Sequence, residues 1–303
     1  MSSAWIKRPT PWLTRTLQWE KVLPSKEWME TYLTVLDGVE KGNYTTKYTP
    51  YLDLYFELID NPKTELLAVM SASQIGKTLA GSGFILHAID TSYSNKLVII
   101  PNEKDLSTYL SAKFDVFLRG CKKVADKITE TLIVERLRGK QTIKKFVGGD
   151  VTFLGSFNVK SLTVQHILCD EVSDFAPGAL AMIRERFKTY RGKGGKLVAI
   201  STMKNENDEI YNLAMMCEIK MQYWMYCEHC GGYFYPEVKH HKYHSQKEFA
   251  ELLGLEQLEE YMISRDYLPF IKENSYIECP YCAGKITDEH RKKAILGKKC
   301  KWF

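Results

Sequence analysis

The chain has 303 residues, 45% of them hydrophobic and 26% charged, with a formal net charge of +5 at pH 7. That is the balance of an ordinary soluble globular protein, long enough to bury a core without disulfides and with room for about two domains, or one α/β domain and an appendage. No stretch approaches 18 consecutive apolar residues and residues 1–13 lack the apolar run of a secretory signal, so a membrane protein and a secreted disulfide scaffold are set aside and a cytoplasmic location is expected.

Ser25 is expected to cap a helix with Trp28, Tyr32 and Leu33 on one face. Residues 41–46 read as a loop and 51–59 have helical spacing. A short apolar run, 66–70, leads into Ser71-Ala72-Ser73-Gln74-Ile75-Gly76-Lys77-Thr78 and then into a helical stretch to residue 89. A second buried strand covers 97–100, stopped by Pro101, and helical spacing resumes over 106–124. Strands are expected at 150–155, 164–169 and 197–200, with a helix over 179–190 and a glycine-rich break at 192–195. Short apolar runs alternating with helices predict an α/β fold, a mostly parallel sheet with helices on both faces, as in P-loop NTPases of the RecA-like class. After about residue 215 cysteine, histidine and aromatic residues become dense, and a helical stretch near 246–265 separates two cysteine pairs. The expected division is a helical region over 1–60, a P-loop core over 61–215, and a zinc-binding module with a tail over 216–303.

The loop ends as Gly76-Lys77-Thr78, the close of the G-x-x-x-x-G-K-[ST] pattern, with Ser71 in place of the first glycine. In such a loop the backbone N–H groups of residues 71–76 and the following helix N-terminus cradle phosphates. Lys77 supplies a positive charge and the Thr78 hydroxyl completes a Mg²⁺ shell.

A strand running into Asp170-Glu171 places two carboxylates at the crevice where open α/β sheets bind ligands. Asp170 is expected to hold Mg²⁺ and Glu171 to act as general base on the attacking water. Such a pair alone is most often a solvated strand end; 93 residues after Lys77 it becomes a specific signal for ATP. Ser201-Thr202, at the end of the next strand, is a candidate sensor of the γ-phosphate.

Cys227-x-x-Cys230 and Cys279-x-x-Cys282 lie among turn residues. Two such knuckles make a closed Cys₄ site, hence structural Zn²⁺ in a zinc-ribbon-like module with an insertion. His240, His241 and His244 lie between the pairs and offer alternative ligands. Bases are clustered: nine against three acids over 119–145, six against one over 184–196, six against none from 291 onward. These are either solvated faces or contacts to nucleic-acid phosphates.

Together these motifs resemble the ATPase region of lambda-like phage terminase large subunits. The resemblance is carried by Trp28, the segment Thr49-Pro50-Tyr51-Leu52, Ser73 to Thr78, Phe153 to Ser156, Leu168 to Val172, Arg186 with Thr189-Tyr190, Ser201-Thr202 and the Cys227/Cys230 knuckle. It implies a motor that packages double-stranded DNA into a procapsid through a portal protein, with a terminase small subunit as partner and a homo-oligomeric ring as its active form, in the cytoplasm of an infected bacterial host. It places Pro50 and Tyr51 near the adenine, makes Ser201-Thr202 the coupling motif, and suggests an arginine finger from Arg184, Arg186 or Arg191. A nuclease, normally C-terminal in that family, is not expected within these residues. Two other readings stay open: a helicase-type DNA translocase, and a non-enzymatic zinc-containing DNA-binding or assembly protein.

Overall fold

The computed structural model describes residues 22–38, 41–136, 139–155, 162–242 and 274–303. The first helix among the described residues, Ser25–Tyr32, differs from expectation at its start. Pro24 holds the capping position without a side-chain hydrogen bond, Ser25 is already helical, and the Ser25 hydroxyl is buried without a partner. The Ser25 backbone N–H instead donates to Asp60 Oδ2 at 2.9 Å, so a tertiary neighbour supplies the capping carboxylate. The helix buries Trp28, whose indole donates to Asp90 Oδ2 at 2.7 Å. A two-stranded ribbon follows, β1 (Thr34–Val35) with β2 (Gly42–Asn43). The 3₁₀ turn Pro50–Leu52 then leads into helix Asp53–Asp60.

The central sheet has seven strands: β3 (Leu66–Met70), β4 (Lys96–Ile99), β5 (Ile128–Arg136), β6 (Gly139–Phe146), β7 (Gly149–Leu154), β8 (His166–Asp170) and β9 (Lys196–Ser201). Their spatial order is β3-β9-β8-β4-β7-β6-β5. The first five are parallel, and β6 and β5 add antiparallel to the edge. This is the expected α/β sheet with an extra hairpin. Apart from Leu132-Ile133-Val134 the hairpin's residues are mostly polar or charged, so in sequence it reads mainly as a basic stretch.

Along the inner strands successive residues alternate between two cores, as a pleated strand covered on both sides requires. Val98, Leu168, Val198 and Ile200 face the core shared with helix Lys77–Thr91 and with Trp28, Met29 and Phe56. Leu97, Ile167, Cys169 and Ala199 face helices Ala179–Phe187 and Glu209–Met216. Gly81 marks a tight helix–sheet approach: a Cβ there would stand 2.8 Å from Ile200 Cδ1 and 2.9 Å from Leu168 Cδ1.

The helix expected over 106–124 is not continuous. Helix Glu103–Tyr109 passes through a π turn, Leu110–Phe114, into Asp115–Gly120, and Lys122–Ala125 forms a separate short helix. The C-terminal part has its own small core. It comprises β10 (Tyr223–Tyr226), β11 (Tyr233–Phe234), β12 (His241–Lys242), β13 (Tyr276–Glu278), β14 (Lys285–Ile286), helix Asp288–Leu296 and β15 (Lys301–Trp302). The helical stretch expected near 246–265, His244 and Ser156 lie outside the described residues. Among the described residues no helix is long and apolar enough to cross a membrane.

Candidate functional site

The carboxyl ends of β3, β9 and β8 lie side by side, and each delivers one motif. After β3 the chain turns through two left-handed residues, Gln74 at φ 59° and Gly76 at φ 86°. Gly76 adopts this conformation freely, whereas at Gln74 it costs about 1–3 kcal/mol, strain of the kind held at ligand sites. No side chain caps helix Lys77–Thr91, which leaves its first N–H groups to an anion. Ala72, Ser73 and Gln74 are exposed and Ile75 is half-buried. The Ser71 N–H donates to Ser201 O at 3.2 Å, and the Ser71 hydroxyl is buried without a partner. Tyr51, in the turn begun by Pro50, donates its hydroxyl to Ile75 O at 3.2 Å.

Lys77 is only 6% exposed, and its Nζ donates to Thr202 Oγ1 at 2.7 Å and to Ala72 O at 3.2 Å. β9, which ends in Ser201 and Thr202, lies between the strand of the phosphate loop and the strand of the acidic pair. Ser201 Oγ accepts the Ser173 N–H at 3.0 Å, and Ser173 Oγ donates to Thr202 O at 2.8 Å. The hydroxyl pair is thus bonded to Lys77 on one side and to the turn after Glu171 on the other.

Asp170 is buried at the end of β8. Its Oδ1 accepts the Glu171 N–H at 2.9 Å, and its Oδ2 has no hydrogen-bond partner. Burial pushes its carboxyl up to about 6, with the neighbouring Glu171 charge adding to the rise; Lys113, the Thr78 hydroxyl and the Glu171 N–H pull the other way. A buried carboxylate oxygen without a donor is costly, and a divalent cation held by Asp170 and the Thr78 hydroxyl would supply the missing charge. These oxygen donors beside the phosphate loop fit Mg²⁺.

Glu171 has φ 55° and ψ 45°, left-handed for a non-glycine residue. It lines a cleft of about 250 Å³ together with Ile100, Asp105, Thr108, Tyr109, Lys113, Asp170 and Asp174. Ile100 follows β4 and Asp170 ends β8, so the cleft opens at the carboxyl ends of these two adjacent strands.

The four cysteines converge as expected. Cys227 Sγ and Cys282 Sγ are 3.8 Å apart, as are Cys230 Sγ and Cys279 Sγ, and all four lie within 4.8 Å of one another. A tetrahedral S₄ site with metal–sulfur bonds of about 2.3 Å puts the sulfurs about 3.8 Å apart. The two knuckles are built alike. Gly231 N donates to Cys227 O and Ala283 N to Cys279 O, and Gly231 and Ala283 are both left-handed, at φ 74° and 54°. His240 and His241 stand outside the cluster.

The sequence matches the family described as phage terminase large subunit gpA, ATPase domain, over residues 38–302. The chain belongs to this family. No curated protein matches it. Among solved structures, the terminase chain is similar to the HK97 bacteriophage large terminase at 12% identity, with a TM-score of 0.44, over 61% of this chain and 38% of that one. The ATPase domain of the Thermus phage P74-26 large terminase is 18% identical, with a TM-score of 0.36, over 54% of this chain and 74% of that one. A large terminase from a further thermophilic bacteriophage, in complex with ATP-gamma-S, is 14% identical, with a TM-score of 0.34, over 52% and 36%. The chain therefore spans well under half of the HK97 chain and of the ATP-gamma-S-bound chain it matches.

The three candidate finger arginines are not at the phosphate site. Arg191 Nε lies 4.0 Å from Glu65 Oε2, at the amino ends of the strands and so at the opposite edge of the sheet from Lys77. Arg184 and Arg186 are on helix Ala179–Phe187, and Arg186 Nε is buried without a partner. Within one chain none of the three meets Lys77, Asp170 or Glu171. Sequence reasoning missed Ser173, Tyr109 and Lys113. Nothing in the motif spacing marks Ser173. Lys113 sits in the π turn, whose altered winding re-aims side chains that a regular helical pattern assigns elsewhere. The basic run from 291 onward also proves to be mostly paired: Arg291 and Lys292 with Asp288, Lys293 and Lys299 with Glu228, and Lys298 with Asp53.

Proposed function

We propose that this chain is the Mg²⁺-dependent ATP-hydrolysing segment of a terminase large subunit, a motor that drives double-stranded DNA through a portal into a procapsid. One observation carries the reading. A buried lysine, the hydroxyls of Thr78 and Thr202 and two carboxylates, brought together from separate parts of the sequence, gather at adjacent strand ends beside an uncapped helix N-terminus. The backbone N–H groups of residues 72–76 bind phosphate oxygens, the Ser71 N–H being held by Ser201 O, Lys77 exchanges Thr202 for the β- and γ-phosphates, and Thr78 and Asp170 would hold the metal. Bound Mg²⁺ neutralises charge that builds on the phosphates. Glu171 takes a proton from the attacking water. The Ser201–Ser173 and Thr202–Ser173 bonds give a route by which loss of the γ-phosphate alters the turn after Glu171. In this reading the finger is one of Arg184, Arg186 and Arg191, acting on a neighbouring subunit's site in a homo-oligomeric ring.

Zn²⁺ is the metal assigned to the four thiolates, whose spacing leaves no open position and makes its role structural. The reading also keeps the terminase small subunit as a partner and the infected host's cytoplasm as the place of action. The test is ATP hydrolysis by purified protein with Mg²⁺, stimulated by duplex DNA and suppressed by rising salt. Absence of magnesium-dependent hydrolysis rejects the site; a DNA response indifferent to salt rejects backbone contact by the basic clusters.

A further inference from the structure

The turn Pro50–Leu52 and the start of the helix after it touch two regions that are remote in sequence. On one side is the phosphate loop. The Tyr51 hydroxyl donates to Ile75 O at 3.2 Å, and Leu52 Cδ1 lies 3.5 Å from where a Cβ on Gly76 would stand. On the other side is the cysteine module. The Trp302 indole donates to Tyr51 O at 3.2 Å, the Tyr51 and Tyr223 rings meet edge-on at 5.9 Å, and Lys298 Nζ is 3.0 Å from Asp53 Oδ2.

Tyr223 and Trp302 are themselves fixed by the metal cluster. Tyr223 begins β10, which ends at Tyr226, one residue before Cys227. Trp302 pairs with Tyr223 across β10 and β15, and the two rings are 5.2 Å apart. β15 is reached through helix Asp288–Leu296, which follows the knuckle of Cys279 and Cys282. Strands this short are not stable by themselves, and a module with so small a core depends on its metal for folding.

We propose that the metal-clamped cysteine module is a positioning element for the phosphate loop, acting from Trp302 through Tyr51 onto Ile75, so that metal occupancy sets nucleotide affinity. The proposal rests on the reading of that loop as the ATP site. Its physical basis is preorganisation. A loop that holds its binding conformation only part of the time loses affinity in proportion, while the chemical step at Asp170 and Glu171, on another strand, is left intact.

The experiment titrates a fluorescent ATP analogue in the presence of Mg²⁺. It compares the 303-residue wild-type chain, Trp302→Phe, Trp302→Ala, and wild type and Trp302→Ala each stripped of the tightly bound metal and dialysed. Trp302→Phe keeps an aromatic ring and loses the N–H donor. It is expected to weaken binding about threefold, and Trp302→Ala or stripping of wild type about tenfold, with circular dichroism retaining the signal of the central sheet and helices. In steady state, Trp302→Ala raises KM for ATP while kcat stays within about twofold. Stripping Trp302→Ala adds little further loss, because both perturbations act along one route. Equal affinities across the series, or losses that multiply in the stripped variant, overturn the proposal. A wild type that binds no nucleotide overturns the ATP-site reading as well, so the two failures are told apart.

Discussion

Lys77 and Thr202, 125 residues apart in sequence, are joined by a 2.7 Å hydrogen bond between Nζ and Oγ1. A buried ammonium needs acceptors, and here two neutral oxygens, Thr202 Oγ1 and Ala72 O, hold it in place. Neutral acceptors release a lysine to a phosphate more readily than a carboxylate would. The bond also ties the lysine to the strand whose end is bonded to Ser173.

Two substitutions separate binding from chemistry. Lys77→Ala is expected to weaken nucleotide binding and abolish turnover. Glu171→Gln should bind nucleotide normally and lose at least about 100-fold in kcat, since only the proton acceptor is removed. Comparable nucleotide affinity and kcat in both variants and wild type would place the active site elsewhere.

Asp170 gives a stability prediction whose sign opposes its role in function. Its carboxyl titrates near 6 in the folded protein against an ordinary 3.8. Between those values the folded state binds a proton that the unfolded state does not, so stability falls as pH rises from about 4 to about 6, and the whole penalty is present above that. At about 1.4 kcal/mol per pH unit it amounts to about 3 kcal/mol. Asp170→Asn should therefore stabilise metal-free protein at pH 8 by up to that amount, with the gain fading toward pH 4, while ATPase activity is lost. Urea melts across that range, in the presence of a chelator, read the effect; a gain that does not vary with pH contradicts it.

Lys113 is the one basic residue lining a cleft that also holds the acids Asp105, Asp170, Glu171 and Asp174, and its charge opposes the rise at Asp170. Lys113→Met is expected to lower kcat about tenfold and Lys113→Arg to restore most of it. Steady-state kinetics at saturating ATP check this, and full activity in the Met variant would make the π turn irrelevant to catalysis.

The cysteine cluster predicts one equivalent of zinc in purified protein. Cys279→Ser should release it and melt the C-terminal module while the central sheet persists, because the two have separate cores. Elemental analysis with limited proteolysis distinguishes the outcomes, and a metal-free, protease-resistant wild type removes the site.

Much of this was legible locally. The inner strands announce themselves as apolar runs, the phosphate loop by Gly76-Lys77-Thr78, the acidic pair by its place at a strand end, and the knuckles by their spacing, because each signal spans only a few residues whose conformation their own side chains dictate. The sequence by itself thus determined the parallel sheet, the nucleotide-type loop and the four thiolates. Only the tertiary structure decided that β9 lies between the strand of the Lys77 loop and the strand of Asp170-Glu171, that Ser25 is capped by Asp60, that a π turn carries Lys113 into the cleft, that β5 and β6 extend the sheet, and that Trp302 reaches Tyr51. These are contacts between residues tens to hundreds of positions apart. They are selected by the burial of whole faces and by the pairing of polar groups once those faces meet, and no short stretch of sequence carries that information.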